Sequence, residues 1–172
     1  MIPSVLRQEV KTTLWRIADE IHWMSLTNEQ KSAHYERWTR EPSIGGVLSH
    51  YMELARVRVY IKDTLLKDYT RQKLANGTKP LAAAGVLKEL PAAQGFAKPH
   101  GVRLHDGRIV CWGKAEDWKD VLTALHERGF PNGKRSAAVL LYPSGRFKEK
   151  HIIAMVEDAA RKLEIERVLW VD

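Results

Sequence analysis

The chain has 172 residues, with 28 Lys and Arg against 21 Asp and Glu and a formal net charge of +7. A hydrophobic fraction of 44% beside 28% charged residues excludes the disordered and fibrous classes and leaves a globular protein, large enough for one domain or two small ones. No run approaches the ~18–20 apolar residues of a membrane span. The start Met1-Ile2-Pro3-Ser4 has no basic, then apolar, leader, and the single cysteine, Cys111, excludes an intrachain disulfide; a cytoplasmic protein without a membrane partner is expected.

In chain order, Leu6, Val10, Leu14, Ile17, Ile21 and Met24 recur at steps of three and four, which predicts an amphipathic helix over about residues 4–25. Thr27-Asn28-Glu29-Gln30 reads as a capping box that opens a second, shorter helix, stopped by Pro42. Val47, Tyr51, Leu54, Ile61 and Leu65 extend a helical stripe across residues 44–75, although Arg56–Lys62 alternates like a strand. One long helix is expected there, ended by Asn76-Gly77 with Pro80 beyond. The helical region is taken as 1–78.

Residues 79–101 are rich in Pro, Gly and Ala and read as a linker, with a helical turn set near Leu81–Leu90. Residues 102–172 follow as a small α/β domain. Val102–His105 and Arg108–Trp112 flank Asp106-Gly107, a dipeptide that favours a two-residue hairpin turn. Trp118, Val121, Leu122 and Leu125 mark a helix, and Ser136–Tyr142 is apolar enough for a strand covered on both faces. Ile152, Val156, Ala159 and Leu163 mark another helix, and Val168–Val171 a last strand. The class is therefore α/β or α+β: a helical N-terminal half, then a small, mostly parallel wound sheet in the order β-hairpin-α-β-α-β.

The basic excess is spread along the chain, 12 against 9 acidic residues in 1–74, 3 against 1 in 75–101 and 13 against 11 in 102–172. It is densest in 54–74, which includes Arg56 and Lys62, and in 128–150, which includes Lys134, Arg135, Arg146 and Lys148. Such an excess attracts polyanions, of which nucleic acid is the commonest. In wound sheets ligands lie beyond the carboxyl ends of the strands. That rule selects Gly113 and Lys114, then Pro143–Lys148, then Asp172. Ser144-Gly145-Arg146 would turn tightly into a helix start whose free amides hold an anion, with Arg146 and Lys148 adding charge. The loop Gly129–Ser136 superficially suggests a phosphate loop, but its spacing is short and it precedes a strand.

His100, His105, Cys111 and His126 match no zinc spacing, and no metal or cofactor is expected. Nor do the carboxylates form a nuclease-like constellation. Trp23, His34, Tyr35 and Trp38 sit among polar residues near Arg37 and Arg40, where exposed rings would stack on bases or anchor a protein, and buried ones would seal the helical half. The leading expectation is a protein that contacts DNA or RNA backbone through basic surfaces. The runner-up is a phosphoester-directed, nuclease-like enzyme using Arg146 and His151, and the third is an assembly subunit whose helical half meets a protein partner.

Overall fold

The computed structural model describes residues 1–89, 93–130 and 134–172. The chain divides into two compact units, Met1–Lys73 and Leu74–Asp172.

The N-terminal unit is helical. Helix α1, Ser4–Glu20, buries Val10, Leu14 and Ala18. It ends five residues before the expected boundary because His22 takes a left-handed conformation (φ 53°). The 3-10 turn Trp23–Ser25 follows, with Trp23 and Met24 buried. Helix α2, Asn28–Arg40, opens on the expected capping box. The Gln30 N–H donates to Thr27 Oγ1 at 3.3 Å, and the Thr27 N–H donates to Gln30 Oε1 at 2.9 Å. Glu41 is extended before Pro42, as the proline requires.

The single helix expected over 44–75 is not formed. A π-helical turn, Pro42–Gly46, runs into the short helix α3, Val47–Ser49. The chain then breaks, with Glu53 extended (ψ 146°). Beyond it a continuous rod comprises α4, Leu54–Tyr60, a π-helical turn, Ile61–Leu66, and α5, Lys67–Ala75. The wider turn rotates the apolar stripe, so that Val57, Ile61, Leu65, Leu66 and Tyr69 are all buried. Trp23 and Trp38, each 2% exposed, pack together with Tyr35 and His34 at ring-centroid distances of 5.2–6.3 Å. The two tryptophans are core residues and present no stacking surface.

The C-terminal unit holds a five-stranded sheet in the order β1-β2-β3-β4-β5. The segment expected as a linker is folded: it carries α6, Thr78–Ala83, the 3-10 turn Leu87–Glu89 and strand β1, Gln94–Ala97. Leu90, the end of the helical turn set, lies outside the described residues. Strand β2, His100–Arg103, pairs antiparallel with β1 and with β3, Ile109–Lys114. Helix α7, Trp118–Gly129, leads to β4, Arg135–Leu141, and helix α8, Lys150–Lys162, to β5, Arg167–Val171. Strands β3, β4 and β5 are parallel neighbours. The sheet is mixed, not mostly parallel, because the expected hairpin carries an extra antiparallel strand at its edge.

Both sheet faces are covered, which accounts for the apolar run of β4. Cys111, Ala138 and Leu140 pack with Val121, Leu122 and Leu125 of α7 and Val156 and Ala160 of α8. Val110, Trp112, Val139 and Leu141 pack with Leu81, Ala84 and Val86.

Candidate functional site

Because β3, β4 and β5 run the same way, their carboxyl ends at Lys114, Leu141 and Val171 share one edge of the sheet. The β1–β2 turn at Lys98-Pro99 joins that edge, since His100 stands opposite both Ala97 and Trp112. Strand order never reverses across β3, β4 and β5, so the edge lacks the crevice that a reversal opens.

At the end of β4, Tyr142 (φ 56°) and Gly145 (φ 53°) are left-handed. Gly145–Lys148 forms a 3-10 turn that buries Phe147, whose N–H donates to the Ser144 carbonyl at 3.1 Å. Helix α8 starts only at Lys150, with Glu149 at the N-cap position and no side-chain capping hydrogen bond. The free amides of that helix therefore follow Glu149 and do not lie at Ser144-Gly145, so the helix start is not where the sequence placed it. What the connection offers instead is cations. The guanidinium of Arg146 lies 5.0 Å from the Phe147 ring centre and, like exposed Lys150, has no carboxylate partner among the described residues. Lys148 Nζ is 4.0 Å from an Asp172 oxygen, with both side chains exposed, so solvent screens the pair. Lys114 Nζ is 3.0 Å from Glu116, and the exposed His151 lies 3.5 Å from Glu149.

Two of the remaining sequence-selected cations lie away from this edge, at the amino end of β4. Lys134 donates to the Asp106 carbonyl at 2.5 Å. Arg135, 8% exposed, pairs with Glu164 at 2.6 Å at the amino end of β4. Arg56 and Lys62 are exposed on the N-terminal unit. Of the Gly129–Ser136 loop, residues 131–133 lie outside the described residues.

One feature escaped the sequence. A cleft of about 600 Å³ lies along β3 and α7, lined by Lys98, His100, Trp112, Asp117, Asp120 and Arg128 among others. His100 stacks on Trp112, centroids 6.2 Å apart and planes 18° from parallel. Burial and the nearby Arg128 lower the His100 pKa and keep the imidazole neutral. Desolvation raises the pKa of Asp117, with Glu116 and Asp120 adding to the effect. The Cys111 thiol is pushed up by burial, against the pull of Arg128, and stays protonated. The cleft lining thus holds an imidazole whose pKa is lowered and a carboxyl group whose pKa is raised. Among the described residues no group of three His, Cys, Asp or Glu could hold a metal ion. The cross-strand pair His100–Trp112 was a possible signal, but only once β2 was known to begin at His100.

No family model, curated protein or solved structure matches this chain.

Proposed function

We propose that the carboxyl edge of the C-terminal sheet contacts the phosphate backbone of DNA or RNA, through Arg146, Lys148 and Lys150 with Lys114 beside them. The observation that carries this reading is the state of the cations. Arg103, Arg108, Arg128 and Arg135 are each held by a carbonyl or carboxylate within the unit. Arg146 and Lys150 are exposed and have no carboxylate partner among the described residues. Backbone contact needs such ungrouped cations and no base-reading element.

Binding of a fluorescent 20-nucleotide duplex and of a single strand, followed by anisotropy across a salt series, tests it. Affinity should fall steeply with salt, because each phosphate contact releases condensed counterions. Replacing Arg146 and Lys150 together by Ala should make the slope of log K against log salt shallower by roughly 2 on duplex DNA, about one per contact. The far-UV circular dichroism should be unchanged, since both side chains are exposed. No binding at low salt, or a double variant with an unaltered slope, defeats the reading.

A further inference from the structure

The N-terminal unit contains a second cleft, of about 680 Å³, where the chain start meets α4 and the turn before it. That volume is ordinary for a small-molecule site. Tyr51, Met52, Val59 and Tyr60 supply an apolar and aromatic wall, and Arg7, Arg56 and Asp63 stand around it. Tyr51 is 40% and Val59 56% exposed, so the apolar surface is open to solvent. Arg7 and Arg56 are exposed and form no ion pair among the described residues, whereas Arg16 and Arg58 nearby in sequence are paired with Glu20 and Glu36. The Tyr60 hydroxyl is buried and has no hydrogen-bond partner among the described residues. A buried hydroxyl left unpaired is costly, and an acceptor brought in by a ligand removes that cost.

We infer that this cleft binds a small amphipathic anion: an apolar body against Tyr51, Met52 and Val59, and a carboxylate or phosphate head held by Arg7 and Arg56. The charge of the rim selects the sign of the head, because the lining holds two arginines and the single carboxylate of Asp63. A guanidinium is weakly hydrated and matches a planar anion with two parallel hydrogen bonds. The inference is independent of the backbone-binding reading, which concerns the other unit.

Isothermal titration of the full chain with decanoate, decyl phosphate and decyltrimethylammonium, each below its micelle concentration, tests it. The two anions should bind and the cation should not. Arg7→Ala and Arg56→Ala should each weaken the anions by about tenfold. Ala55→Trp, at a residue lining the cleft, should block binding while the helical circular dichroism is retained. Equal binding of anion and cation, unaltered affinity in the arginine variants, or binding to anionic lipid vesicles without binding to soluble decanoate would each overturn the inference.

Discussion

Arg128 shows how a surface cation in a sequence becomes a structural one in a fold. Its guanidinium donates to the carbonyls of Lys98 and Pro99, both at 2.9 Å, approaches Cys111 Sγ at 3.2 Å and lies 4.4 Å from the Phe96 ring centre. It ties the β1–β2 turn to helix α7. The space it occupies exists because residue 101 is glycine. A Cβ there would meet the Val110 carbonyl at 2.8 Å, Cys111 Sγ at 2.9 Å and Arg128 Nη1 at 3.2 Å. Gly101→Ala should therefore cost about 1–3 kcal/mol, the usual range for overpacking, read as a lower urea midpoint. Trp38→Ala should cost more, about 3–5 kcal/mol, because it removes a buried indole from the cluster around Trp23. That outcome also separates core from interface: a partner-binding tryptophan would leave the isolated chain as stable as before. In the sequence Arg128, Arg135 and Arg146 look equivalent. Their separation into tether, buried guanidinium paired with an exposed carboxylate, and free cation depends on which backbone carbonyls and carboxylates the fold brings near, and local pattern does not contain that information.

Among the elements, those legible from sequence are the ones whose determinants are local. The capping box at Thr27 is four residues long and forms as read. Thr27→Ala should lower stability by about 1 kcal/mol, measured by chemical denaturation. The β2–β3 hairpin was also legible, but its turn differs. Gly107 alone is left-handed (φ 84°), its N–H donates to the Leu104 carbonyl at 3.0 Å, and the Leu104 N–H donates to the Arg108 carbonyl at 2.8 Å. This is a three-residue loop, whereas a two-residue turn of the expected kind needs both central residues at positive φ. The elements that were missed have non-local causes. Strand β1, Gln94–Ala97, is mostly exposed and shows no alternation, so only its pairing with β2 makes it a strand. The break before α4 falls inside a helical stripe, and the π-helical turn of Ile61–Leu66 brings the stripe back into register only in three dimensions. The helix start expected directly after Ser144-Gly145-Arg146 lies instead at Lys150, with a 3-10 turn that buries Phe147 between them.

For the molecule as a whole, the α/β class and the helical character of the first half followed from periodicity, because stripes of apolar residues report directly on element type. Strand direction did not, since it turns on an edge strand with no sequence signature. Neither did the two clefts, which are made by residues far apart in the chain, such as His100 with Asp120 and Arg7 with Arg56. One property is shared by both units. Each has a histidine packed on tryptophan, His34 with Trp23 and Trp38, and His100 with Trp112. Burial lowers the pKa of both from 6.5, assisted by Arg37 at His34 and by Arg128 at His100. The folded state thus prefers the neutral imidazole, and the unfolded chain binds the extra protons. The sign follows by linkage: the contribution is fully present above pH 6.5 and is lost as pH falls below it toward the folded values. Asp19 behaves in the same direction at lower pH. Burial would raise its pKa, but hydrogen bonds from Lys73 and Tyr69 outweigh that and lower it from 3.8, so its share is lost only under stronger acid. Urea midpoints measured at pH values about one unit above and one unit below 6.5 bracket the histidine range, where the raised pKa of Asp117 acts with the opposite sign, so the histidine share is read from variants. Wild type should be less stable at the lower pH, and the variant carrying both His34→Gln and His100→Gln should show a smaller drop between the two. An equal drop in the double variant would mean that protonation elsewhere sets the acid sensitivity of both units.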